Sequence, residues 1–75
     1  MYKAQYLVEN EKGRNWFNCQ STAFVDADGE YITLFKNKDD AVDVARAWHN
    51  LFGETVRVIK WNRTKRNWQL VNIKF

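Results

Sequence analysis

Cys19 and His49 are the only cysteine and the only histidine in this 75-residue chain. They are its sole obvious candidates for a nucleophile and a base. Nucleophilic catalysis requires a third group that orients the base, and no spacing in the sequence supplies one. Two N/S donors also fall short of a tetrahedral metal site. Cys19 therefore reads as a small core residue, and His49 as a residue on a helix flank. Asp26-Ala27-Asp28-Gly29 places carboxylates at alternate positions before a glycine, as a calcium loop does. It lacks the further oxygen ligand and the terminal bidentate acid that such a loop needs, so it reads as a tight turn. No glycine-rich phosphate cradle is present. The expectation is a chain without a catalytic constellation, without cofactor and without metal, and so not an enzyme.

Trp61 and Trp68 offer different chemistry. They flank Asn62-Arg63-Thr64-Lys65-Arg66-Asn67, a basic loop. Indole rings supply apolar contact area or stack on bases. Arginine and lysine beside them can meet phosphates or carboxylates. Residues 1–53 hold six bases and eight acids, whereas residues 54–75 hold six bases against Glu54 alone. The molecule is thus polarised, with its positive end at the C-terminal hairpin.

The elements that position these groups follow from periodicity. Residues 37–53 make the one convincing helix. Asn37 is the expected N-cap, Asp39 and Asp40 complement the dipole in the first turn, and Gly53 supplies the left-handed stop. Ala41, Val44, Ala45, Trp48, Leu51 and Phe52 form its apolar stripe. The alanines allow close approach to a sheet, and Trp48 and Phe52 are expected to fill the far end.

The other apolar runs alternate as strands do. Residues 2–9 and 16–25 read as two strands joined by a polar loop at 10–15. A short third strand covers 31–35, with Ile32 and Leu34 inward. Strands at 55–61 and 68–75 follow the helix, the last with Val71, Ile73 and Phe75 inward. The fold class is α+β in the order β-β-β-α-β-β. About five antiparallel strands form the sheet, and the helix packs on one face. The whole chain, residues 1–75, makes one domain with a small core.

One helix covers one side of such a sheet. If Val56 and Val58 face it, then Arg57, Ile59 and Trp61 face away, as do Trp68 and Leu70. Leu7, Trp16 and Phe24 of the first hairpin join that uncovered face. Monomers rarely leave large apolar patches exposed, and tryptophan and arginine often dominate interface energy. The candidate partner-binding residues are therefore Trp16, Arg57, Ile59, Trp61, Arg63, Lys65, Arg66, Trp68 and Leu70.

The stretch 37–59 holds the capped helix, Ala41 and Ala45, the glycine stop and the strand Thr55-Val56-Arg57-Val58-Ile59. It resembles small phage-encoded accessory proteins of the anti-CRISPR type, which share a compact α+β style with a basic aromatic hairpin. The resemblance implies a non-catalytic inhibitor that occupies a functional surface of a host or defence complex, acting in the host cytoplasm.

Three roles suit the uncovered face. It can dock on a protein, it can bind nucleic acid through the basic hairpin and its tryptophans, or it can close a homodimer. A protein partner is the leading expectation. A single cysteine fits a reducing cytoplasm. No run reaches membrane-spanning length and Met1 to Tyr6 contains no apolar signal core, so no membrane role is expected.

Overall fold

Alternation along the N-terminus forms strand β1 (Tyr2–Asn10), which a tight turn at Glu11 and Lys12 joins to β2 (Gly13–Asn18). Asn10 Oδ1 accepts the Lys12 amide at 2.8 Å across this turn. After the helix α1 (Lys38–Phe52) come β3 (Val56–Asn62) and β4 (Asn67–Val71). The computed structural model describes residues 1–75. The four strands form one antiparallel sheet in the order β2-β1-β3-β4, with β1 and β3 central. The helix lies across these two central strands.

The core is small because the alanines bring helix and sheet together. Ala4, Cys19, Ala41, Val44, Ala45 and Val58 are buried between them, with Phe35 closing one end. Ala4 lies opposite Val58, and Val58 opposite Val71, so one continuous row faces the helix.

The architecture has four strands rather than five. The expected strand at residues 31–35 reduces to isolated bridges, Tyr2 with Phe35 and Val25 with Tyr31. The expected strand at 16–25 runs instead from Gly13 to Asn18, so the expected loop at 10–15 shrinks to the two-residue turn at Glu11 and Lys12. Space along β1 explains both. Its outer edge is filled by β2 as far as Gln5, then by the Cys19 amide on the Ala4 carbonyl (2.8 Å). Phe35 takes the last place, exchanging two bonds with Tyr2 at 2.7 and 2.8 Å. Residues 20–34 must therefore loop out and return.

The turn at Asp26 closes that excursion. Asp26 Oδ1 accepts the amides of Asp28 (2.9 Å) and Glu30 (3.0 Å). Gly29 sits at φ 82°, a conformation glycine adopts without strain. The inward residues also differ from expectation. Phe35 is buried and Ile32 packs against the core, whereas Leu34 is 44% exposed. Phe24 was expected on the uncovered face. It packs edge-on against Phe35, with ring centroids 5.2 Å apart, on the core side.

The helix ends as expected and begins differently. Gly53 takes φ 67° and its amide caps the His49 carbonyl at 3.0 Å. Asn37 has the extended backbone of an N-cap but makes no side-chain capping bond. The first turn relies on Asp39 and Asp40 instead. Phe52 does not fill the far end. Trp48 already does so, stacked on Tyr6 at 4.5 Å. One turn on, Phe52 can only reach the outer edge of Trp48, at 5.1 Å, and stays 63% exposed. At the C-terminus Val71 and Ile73 pack inward, while Phe75 is 38% exposed beside Arg46 and His49.

Candidate interface on the helix-free face

Cross-strand register assigns this face directly. Leu7 lies opposite Trp16, Gln5 opposite both Asn18 and Arg57, Ile59 opposite both Lys3 and Leu70, and Trp61 opposite Trp68. A pleated sheet sends alternate residues to opposite faces, and Ala4, Val58 and Val71 face the helix. These residues therefore face away from it, and three of the four tryptophans stand there.

Two cations organise the tryptophans. The Arg57 guanidinium lies 4.2 Å above the Trp16 ring, and its Nε and Nη2 donate to Gln5 Oε1 at 3.0 and 2.8 Å. Gln5 Nε2 in turn donates to Asn18 Oδ1 at 3.0 Å. This network spans three strands and leaves no buried side-chain polar atom unpaired. Burial lowers the Arg57 pKa from its ordinary value, but a guanidinium remains charged at neutral pH. Arg57 is thus a fixed positive part of the surface.

At the other end, Lys3 Nζ lies 4.5 Å from the centre of the Trp68 ring. Trp61 and Trp68 meet edge to face, 5.5 Å apart at 61°. Ile59 and Leu7 are buried among these groups, while Leu70 stands 71% exposed. Arg63, Lys65 and Arg66 form the hairpin tip, all exposed. Asn62 Oδ1 holds the Lys65 amide at 2.9 Å, and Arg66 adopts φ 52° to close the turn. None of the three has a carboxylate partner, since the one ion pair joins Glu9 and Arg14. An open groove of about 310 Å³ runs beside the tip, lined by Lys60, Trp61, Asn62, Arg63 and Gln69.

All nine sequence-derived candidates therefore lie on this face or at its tip, but they do not form one cluster. Trp16 and Arg57 make one group. Trp61, Trp68 and Leu70 make a second, continuous with Arg63, Lys65 and Arg66. Ile59 lies beneath the surface as support. Lys3, Gln5 and Asn18 were not among the candidates. Their outward parity was legible, but the β1–β3 pairing that sets them beside Arg57 and Trp68 was not.

The groups first considered for catalysis sit elsewhere. Cys19 is fully buried, and its thiol is pushed up to about 12, chiefly by burial and then by the charge of Glu54. It is a protonated core residue at neutral pH, unsuited to attack. His49 Nδ1–H donates to the Glu54 carbonyl at 2.9 Å, fixing the chain just beyond the helix stop.

Cys19 yields a measurable consequence. The folded thiol keeps its proton where the unfolded one, near 9.0, gives it up. Its contribution to stability is complete below pH 9 and falls as pH rises from 9 towards about 12. Denaturation of wild type and Cys19→Ala across this range should show the extra alkaline slope in wild type alone. In the native protein Cys19 should resist a disulfide reagent at neutral pH and react only on unfolding.

No helix is long and apolar enough to cross a membrane. Comparison with protein families, with curated proteins and with solved structures yields no match to this chain.

Proposed function

We propose that this chain is a small non-enzymatic binding protein that docks through its helix-free sheet face on a protein surface, as an inhibitor of a host or defence complex would. One observation carries the reading. The single helix is used up on one side of the sheet, and Trp16, Trp61, Trp68 and Leu70 stand on the other. The partner that suits this face has an apolar centre for Trp61, Trp68 and Leu70, and carboxylates for Arg63, Lys65 and Arg66. The resemblance to anti-CRISPR-type phage proteins points the same way. The test is affinity capture from a lysate, with and without nuclease. The reading requires a protein partner that survives nuclease and is lost when Trp61 or Trp68 is removed.

A second reading rests on the three unpaired cations beside the Trp61–Trp68 pair, which could hold single-stranded nucleic acid. The ring geometry disfavours it. Base stacking needs open indole faces, and Lys3 and Arg57 already lie over Trp68 and Trp16, which leaves Trp61 as the one tryptophan of this face without a cation over its ring. Fluorescence titration with a single-stranded oligonucleotide in about 50 mM salt decides between them. We expect no saturable binding. Tight binding that weakens steeply with added salt would replace the protein reading.

A further inference from the structure

The order β2-β1-β3-β4 leaves the outer side of β4 without a neighbouring strand. Two bonds at the ends of the β1–β3 ladder fix which backbone groups point there. The Leu7 amide donates to the Thr55 carbonyl at 2.9 Å, and the Trp61 amide to the Met1 carbonyl at 3.0 Å. Alternate residues of a central strand bond to opposite neighbours, so Arg57, Ile59 and Trp61 serve β1 while Val58, Lys60 and Asn62 serve β4. In the β3–β4 register these last three lie opposite Val71, Gln69 and Asn67. Trp68 and Leu70 are left with N–H and C=O directed outwards, where no backbone group of the chain meets them. Their side chains stand on the helix-free face, so the open edge borders the surface assigned to the partner.

An open strand edge is a template for another strand, and charge decides which strand this edge suits. Arg63, Lys65 and Arg66 stand at the start of β4 and Lys74 follows its end, while Glu54 is the only acid after residue 53. The tip cations have no carboxylate partner, since the one ion pair is Glu9 with Arg14. Lys60 and Arg63 also line the open groove beside the tip. A second copy of β4, related by a two-fold axis at Gln69, would lay each Lys74 beside the other copy's tip, cation against cation. The opposite edge, on β2, lacks this excess. Its outward residues are Arg14, paired with Glu9 at 3.3 Å, Trp16, covered by Arg57, and Asn18, held by Gln5.

We propose that the partner docks by adding an extended acidic segment to β4 as a fifth strand. This rests on the docking function proposed above and names what the partner supplies. The added strand runs antiparallel, as every pair in the sheet does. Two of its residues exchange N–H···O bonds with Trp68 and Leu70, and residues paired in this way place their side chains on the same face, here the helix-free one. β4 leads away from the tip, so the C-terminal end of the segment reaches Arg63, Lys65 and Arg66, and that end carries the carboxylates. Main-chain bonds supply the affinity, and the carboxylates fix direction and register.

The probe is a capped peptide of about eight residues, alternating valine and threonine and ending in three aspartates. Titrated to about 1 mM against the whole chain, it should give saturable amide NMR shifts centred on Trp68 and Leu70. The exchange of those two amides with solvent, fast in the free protein, should slow on binding. Lysines in place of the aspartates should weaken binding at least about tenfold. N-methylation of the valine amides, which face β4 when the valines lie opposite Trp68 and Leu70, should abolish binding, and N-methylation of the threonine amides should leave it. No saturable shift at about 1 mM would overturn the proposal. So would equal affinity of the aspartate and lysine peptides, equal tolerance of methylation at both sets of amides, or shifts gathered on β2. Saturable binding of a single-stranded oligonucleotide in the peptide's place would give the tip to phosphates and overturn it as well. The titration reads the edge whether or not capture from a lysate finds a partner. A partner that is captured through Trp61 and Trp68 and is not displaced by the peptide would overturn the fifth strand and leave the docking function standing.

Discussion

Trp61→Ala and Trp68→Ala should each yield a folded protein that no longer captures the protein partner proposed for the helix-free face. The two rings pack on each other, and Trp68 also under Lys3, on the sheet face away from the helix. Losing one therefore forfeits a cross-strand aromatic contact of about 0.5–1.5 kcal/mol and opens no hole beneath α1. In a domain of this size that corresponds to a fall in melting temperature of about 4–8 °C per kcal/mol. Binding should suffer more. A tryptophan at the centre of an interface contributes about 2 kcal/mol or more on truncation, which is roughly a thirtyfold loss of affinity. Circular dichroism and thermal melts establish the fold, and calorimetric titration or capture reads the binding. Full partner recovery by both variants would remove the helix-free face from consideration.

Val58→Asp should abolish cooperative folding. Val58 has no exposed surface, lies between Ala4 and Val71 in the sheet, and faces the helix. A carboxylate there has no cation within the apolar core to pair with and no water. Burying an unpaired charge costs several kcal/mol even after the protein relaxes. A chain of this length has a total stability of only about 4–11 kcal/mol at the usual 0.05–0.15 kcal/mol per residue. Leu70→Asp is the matched control. Leu70 is in the neighbouring strand but 71% exposed on the opposite face, and such surface changes remain within about 0.5 kcal/mol. Urea titrations of the two variants should diverge completely. A Val58→Asp transition with the wild-type midpoint would mean that the helix is not packed on this row.

The helix was readable in its span and its stop, though not in the Asn37 side-chain cap or the burial of Phe52. Apolar spacing, the first-turn acids and Gly53 are local signals, and α1 forms with that stop. The C-terminal hairpin was readable in its pairing, because β3 and β4 alternate on either side of a short polar loop and pair across it, but its second strand was expected to run over 68–75 and ends at Val71. Both strand expectations over residues 19–35 went astray. Residues 16–25 and 31–35 both alternate, but a strand exists only where a neighbour offers it a free edge. β1 has only one place left for Phe35. Phe52 was misplaced for a related reason. Its position on the stripe was correct, and the space it would have filled belongs to Trp48 and Tyr6. Local periodicity reports which way a side chain points, and says nothing about which other group reaches that space first.

The residues alone thus determined the one-sided helix, the outward parity of Trp61, Trp68 and Leu70, the concentration of positive charge after residue 53, and hence a surplus of apolar groups over what a single helix covers. These are properties of neighbours in the chain, governed by backbone geometry and periodicity. The tertiary structure decided the β1–β3 pairing across the helix, which brings Lys3, Gln5 and Asn18 to Arg57, Trp16 and Trp68. It also decided that the helix lies over the two central strands and leaves Phe17, Leu51 and Phe52 beside an open edge. Contacts between residues more than fifty positions apart, such as Gln5 with Arg57, depend on which strands win the competition for a shared edge. That competition is settled by the packing of the whole chain and by no short stretch of it.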